Sequence, residues 1–389
     1  MNANRTLPTH SRVNCGLQES TTCRLSARPP GGTASGNEWR GIRDAWWASA
    51  VLGIRWERPL HQAGSGADVA VGSGGLVVHE RNTRLVCLDP EDGSVRWDVR
   101  TGRWLRAMSV AGQRVLVLWQ DDELTCLDLA TGEDVWRVVL RRWTGHLVVD
   151  GDVVLVGGWR GYTPLRALDI ATGRTLWEAE HDVRTVWPAA GGGGFLIGEP
   201  GGSEVRLIGR RDGRRLRTCS LPQPLAHYDH EVAFTAVGGD RFLVRCGDDA
   251  VARISLSAGT ASELVVAGSP LVPVAPQHVG GLLWLRERGT GFTVADPHDG
   301  RVVWRTAVRQ AAFGEVIAED GGSGGGFVLA DAGGSLLFVD SRGQVVERVK
   351  ITQRVRELRR LAPGRVLVLT KGTLLAAAFD DDAHPDDRS

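Results

Sequence analysis

Lysine is almost missing from this chain of 389 residues: it occurs only at 350 and 371, so nearly all of the 46 basic residues are arginines. They are balanced by 46 acidic residues, and with no net charge the chain has no global field to hold nucleic acid or an anionic membrane. The bias to Arg reads as a coding preference rather than a binding device. Six cysteines are present without any Cys-x-x-Cys pair, which excludes a disulfide framework and a zinc ribbon. Cys87 and Cys126 stand at equivalent places in a repeat and read as small packing residues. Cys15 and Cys23 have no further metal ligands near them in sequence. Long apolar helical stretches are absent. The longest apolar run near the N-terminus, residues 45–54, is too short to span a bilayer. The glycine runs 191–194 and 321–326 lack the Lys-Ser/Thr of a phosphate loop.

Glycine is abundant instead, with 51 residues, alongside 42% hydrophobic residues. Many of these glycines belong to a strand-turn-strand motif. Its clear copies carry Asp89, Gly93 and Trp97; Asp128, Gly132 and Trp136; Asp169, Gly173 and Trp177; and Asp296, Gly300 and Trp304. Each Asp ends a short apolar strand and can accept turn N–H groups. The Gly supplies positive φ, and the Trp falls four residues later in the next strand. Degenerate copies follow Gly213, with Gly209 and Arg217 at the Asp and Trp positions, and Gly259, with Ser255 and Glu263. A seventh, Asp340 to Gly343, has a turn one residue shorter. Successive turn glycines lie 39 to 46 residues apart. One hairpin buries too little surface to stand alone, so the units must stack, and this period is that of a propeller blade.

The two ends complete one another. Leu374 to Asp380 reads as a first strand without a second, and Gly53 to Leu60, with Trp56, as a second without a first. Their pairing closes a ring of eight blades, with seven as the alternative, and removes open strand edges. The expected fold is thus all-β: an eight-bladed propeller of four-stranded antiparallel blades over residues 52–380. It follows a disordered segment at 1–38 and a lead-in at 39–51 with a short helix, and an acidic disordered tail covers 381–389. Trp39, Ile42, Trp46 and Trp47 of the lead-in form a further aromatic surface, capping a propeller end or anchoring a partner.

The motifs resemble the pyrroloquinoline-quinone-like (PQQ-like) propeller repeat, close to Ala-x-Asp-x-x-Thr-Gly-x-x-x-Trp. Ala167, Asp169, Thr172, Gly173 and Trp177 match it in full. The resemblance runs from about Leu52 to Asp380. It implies a fold, since the motif residues build blades rather than sites. Quinone enzymes of this family hold the cofactor with a stacked Trp, a Ca²⁺ on carboxylate and amide oxygens, and often two adjacent cysteines. Adjacent cysteines are absent here, and Asn82 is the only asparagine from Leu52 onward. No cofactor is therefore expected.

Two groups of residues carry candidate chemistry. His227, Asp229 and His230 lie within four residues and contain metal-ligand and general-base types, although a polar loop is the plainer reading. The segments joining blades carry Arg, Trp and His together: Arg103, Trp104 and Arg106; Arg141, Arg142, Trp143 and His146; Arg184 and Trp187. Such a rim suits an acidic protein or peptide, because Arg and Trp anchor interfaces and Arg grips carboxylates in two-pronged fashion. The reading is a monomeric, non-catalytic, protein-binding or scaffolding propeller without nucleic acid or a membrane span. It is cytoplasmic by default, as no signal peptide or lipid-attachment cysteine is found. The alternatives are an enzyme at the channel mouth, metal-assisted or quinone-dependent, and an outer-membrane-assembly propeller if an export signal is present.

Overall fold

The computed structural model describes residues 51–380 apart from 62–66, 73, 81–82, 228–231, 248, 265–270, 273, 289–290, 309–316, 319–325, 332, 352–353 and 363. Among them the regular structure is entirely β: eight antiparallel sheets of four strands each. We number the blades along the chain. Blade 1 starts at Ala67, blade 2 at Leu105, blade 3 at Leu147, blade 4 at Ala189, blade 5 at Thr235, blade 6 at Gln277, blade 7 at Ile317 and blade 8 at Val355. From blade 1 to blade 6, and from blade 8 to blade 1, first strands of successive blades adjoin one another, which makes them the innermost. Blade 2, for example, runs outward through Leu105–Ala111, Arg114–Trp119, Glu123–Asp128 and Asp134–Val139.

Blade 8 is built from both ends of the chain. Its strands Val355–Ala362, Arg365–Thr370 and Thr373–Asp380 are completed by the outer strand Val51–Pro59, paired antiparallel from Val51 opposite Asp380 to Pro59 opposite Thr373. The expected closure is thus present, with eight blades rather than seven. The lead-in helix and the tail at 381–389 lie outside the described residues.

The repeat motif acts at the joint between blades. Trp97, in the outer strand of blade 1, lies over Gly132 in the turn of blade 2, and a Cβ on that glycine would fall 2.6 Å from the indole. Gly132 also has φ +74°, so glycine is required there for conformation and for space. Trp56 covers Gly93, Trp136 covers Gly173 and Trp177 covers Gly213 in the same way. Each indole N–H then donates to the carbonyl one residue past the motif Asp position: Pro90 at 3.1 Å, Leu129 at 2.8 Å, Ile170 at 2.8 Å and Arg210 at 2.9 Å. Across the strand pair the indole faces Ala376, Cys87, Cys126 or Ala167, small side chains that leave it room. Cys87 and Cys126 are fully buried and free, and burial pushes the Cys126 thiol up to about 12, where it is an inert packing group.

The Asp of each motif organises its own turn. Asp89 accepts the Glu91 N–H at 2.8 Å, and Asp169 accepts the N–H of Thr172 at 3.0 Å and its hydroxyl at 2.9 Å. Because strands alternate in direction, the motif turns share one face of the propeller. Links between blades and between second and third strands share the other, here the connector face.

Candidate functional site on the connector face

The connector face over blades 2 and 3 gathers most of the rim residues, but it uses them unequally. Arg103 is already neutralised. Its guanidinium bonds Asp121 at 2.5 and 2.8 Å and Glu123 at 2.6 Å, and lies 4.8 Å from the Trp119 ring centroid. Arg141 pairs with Glu178 at 3.1 Å. His146 is buried, its Nε2 is 3.0 Å from the Thr185 carbonyl, and its ring meets Trp187 edge-on at 4.8 Å. The ring pair links the entries to blades 3 and 4, and half-buried Trp187 exchanges backbone hydrogen bonds with Val232 and Phe234 at the entry to blade 5.

The exposed part is built around Trp143, which is 53% accessible. Arg106 donates to the Thr144 carbonyl at 2.8 Å and holds its guanidinium 5.9 Å from Trp143 and 5.3 Å from Trp159. Trp159 carries Arg160 at 4.5 Å, and Tyr162, itself 52% accessible, meets Trp159 edge-on at 6.1 Å and Trp143 at 6.5 Å. Gly145 allows this approach, since a Cβ there would fall 2.5 Å from Trp159. Arg142 and Arg184 are exposed, with the Arg184 Cβ next to Gly161. Trp104 is a further exposed indole at 48%. Trp159, Arg160 and Tyr162 were not among the sequence candidates. They lie in the loop between the second and third strands of blade 3, and their signal is an aromatic and basic run, Gly157 to Tyr162, inserted where other blades turn more tightly.

Of the other sequence candidate only His227 falls within the described residues. Exposed His227 lies against Gly201, and Asp229 and His230 lie outside the described residues. Among the described residues no three His, Cys, Asp or Glu side chains converge as a metal ion requires, and Cys87, Cys126, Cys219 and Cys246 are separate free thiols. Of the features by which the family's quinone enzymes hold their cofactor, adjacent cysteines are absent from the sequence. An amide ligand for such a site could come from Asn82, which lies outside the described residues, or from a Gln.

Blade count, motif joints and connector-face loops together define an eight-bladed propeller of PQQ-like repeats. The chain belongs to the PQQ-like family whose profile is described as outer membrane protein assembly factor BamB, matched at residues 46–183, 120–261 and 201–381. BamB from Moraxella catarrhalis has the same fold, with TM-score 0.66 and 16% identity over 85% of this chain and all of that one. The computationally designed Ika8 protein gives 0.62 and 16% over 84% of this chain and 99% of its own. A europium-containing methanol dehydrogenase gives 0.60 and 11% over 84% and 93%. No curated protein matches in sequence. Among the described residues no helix is long and apolar enough to cross a membrane.

Proposed function

We propose that this propeller is a non-catalytic protein-binding or scaffolding module that docks an acidic partner on the connector face over blades 2 and 3. The observation that carries this reading is the exposed set of Trp143 and Tyr162 flanked by Arg142 and Arg160. Aromatic and Arg side chains are the types that anchor interfaces, and these two arginines have no carboxylate partner among the described residues. Arg103 and Arg141 serve instead to brace the surface, because each is already satisfied by acidic neighbours. The description of the family model, outer membrane protein assembly factor, supports a role in protein assembly.

The test is affinity capture from the native host, comparing the unaltered chain with the double variant Arg142→Glu and Arg160→Glu. Loss of a stoichiometric protein partner, with thermal unfolding unchanged, is the expected result. Capture that survives both charge reversals removes this face from the function. The same lysates are separated into cytoplasmic and periplasmic fractions. Cytoplasmic recovery fits a soluble scaffold, and periplasmic recovery favours the membrane-assembly role named for the relatives.

A further inference from the structure

Four residues other than glycine hold positive φ among the described residues: Asp122 at 68°, Trp143 at 65°, His146 at 52° and Arg160 at 54°. All four fall in the connector-face loops of blades 2 and 3. Left-handed backbone costs a non-glycine residue roughly 1–2 kcal/mol, so its concentration at one patch means that loop geometry is held against local preference. The restraints are internal. Asp122 Oδ1 accepts the Trp143 N–H at 2.8 Å, Thr144 N–H reaches the Arg141 carbonyl at 3.3 Å, Tyr162 N–H reaches Trp159 at 3.3 Å, and Gly157 N–H reaches Gly145 at 2.8 Å.

Two consequences follow for any occupant. The rings are set before a ligand arrives, which lowers the ordering cost of binding. The N–H groups of Trp143, Thr144, Gly157 and Tyr162 are also already used, and turns at positive φ present no extended edge, so an added β-strand would find no ladder and the ligand must be held by ring contact and charge. The Trp143 and Tyr162 centroids are 6.5 Å apart and tilted by 57°, so an occupant lies across the two rings rather than between them. Arg142 and Arg160 disfavour a cationic ligand. Asp121 pairs with Arg103, and Glu178 and Asp182 with Arg141, so the face offers few unmatched positive charges to a polyanion such as single-stranded nucleic acid, which brings one charge per nucleotide. What remains is a stiff apolar body with a few carboxylates. A polyproline II segment is such a body: it needs no backbone ladder, its φ is preset, and its rings rest on aromatic faces.

We infer that Trp143, Tyr162, Arg142 and Arg160 form a platform for an extended peptide segment bearing proline next to acidic side chains. This rests on the reading above that the face binds protein. The test uses fluorescein-labelled repeating Pro-Pro-Asp and Ala-Ala-Asp peptides, with oligothymidine as a third probe, in anisotropy titrations against the full chain. Pro-Pro-Asp is expected to bind at least about tenfold more tightly than Ala-Ala-Asp, and Trp143→Ala, Tyr162→Ala or Arg142→Glu to lose at least about tenfold of that affinity. Trp143→Asn keeps a residue that tolerates positive φ while removing the ring, so it serves if the Ala variant misfolds. Equal affinity for the two peptides, or oligothymidine binding that depends on Trp143, overturns the inference. If the peptides fail while partner capture still depends on Arg142 and Arg160, only this inference falls; if capture ignores both arginines, the broader reading falls with it.

Discussion

The ring divides into two arcs joined differently. From blade 8 round to blade 4, every joint is an indole over a glycine: Trp56 on Gly93, Trp97 on Gly132, Trp136 on Gly173 and Trp177 on Gly213. From blade 4 back to blade 8 the rule lapses. Arg217 stands at the Trp position of blade 4 and sends its Nη1 to the Leu256 carbonyl at 3.2 Å, the acceptor an indole would use, while Gly259 has open space above it. In blade 5 the position is Glu263, which accepts from Gln223 at 2.8 Å. Blade 6 restores Trp304 over Gly343, but the turn is one residue short, and the buried indole N–H has no acceptor. Blade 7 carries Glu347, whose carboxyl is pushed up by burial. One fold thus tolerates loss of the joint, because buried apolar clusters between neighbouring blades continue through the second arc as well, and the platform on blades 2 and 3 stands on the more firmly joined arc.

The comparison fails at once if closure is not essential to the joined arc. Removing the chain through Leu60 strips the outer strand from blade 8, exposes the edge of Thr373–Asp380 and deletes Trp56 from its glycine. Loss of a cooperative thermal transition is expected in calorimetry or circular dichroism. A shortened chain that melts as the whole one does would mean that blade 8 closes without its fourth strand.

A smaller but sharper contrast comes from one methyl group. Gly132→Ala adds a Cβ at φ +74° and against Trp97, so backbone strain and overpacking combine to about 2–5 kcal/mol. Gly259→Ala meets φ +64° with no atom within 4 Å and costs only the strain, about 1–2 kcal/mol. Urea unfolding of the two variants measures the difference, and equal losses would show that the indole contact adds nothing. Arg217→Trp runs the comparison in reverse. An indole over Gly259 with its N–H on Leu256 is expected to stabilise by about 1 kcal/mol. A destabilised variant would mean that the open arc has closed up too far to admit one, and the direct approach of the outer strands of blades 4 and 5 is the feature to inspect.

The sequence carried the fold because each joint is written locally: Asp, Gly and Trp lie within nine residues, and the partner glycine recurs at the blade period. It carried the closure because Trp56 and Leu374–Asp380 are the two halves of one such unit. The site was legible only in part. Arg103 and Trp143 both read as interface residues, yet Arg103 is quenched by Asp121 and Glu123 from a loop about twenty residues on, a pairing that no spacing rule announces. Trp159 and Tyr162 join Trp143 through loop geometry at positive φ, which sequence does not encode for residues other than glycine.

The least effect separates the arcs by acid. The Arg96 guanidinium beside Asp89, with the Glu91 N–H, holds that carboxyl below its ordinary value, and the Thr172 hydroxyl does so for Asp169. A carboxyl whose folded value is depressed stabilises the fold above its unfolded value, and that contribution is lost as pH falls through the folded value. Both groups are partly exposed, so solvent screening keeps the contribution small. Gly209 replaces the Asp in blade 4 and has nothing to titrate at that position, whereas in blade 5 Asp240 takes over by accepting from Ser257 and is itself held below its ordinary value. Between neutral pH and pH values below about 4, hydrogen-exchange protection should therefore fall first in the turns at 89–94 and 169–174, and less in that at 209–214. Asp169→Asn should flatten the response of its own turn, since the amide still accepts from Thr172 but does not titrate. If all three turns lost protection together, the acid response would belong to global unfolding, and the Asp turns would have no separate part in holding the joined arc.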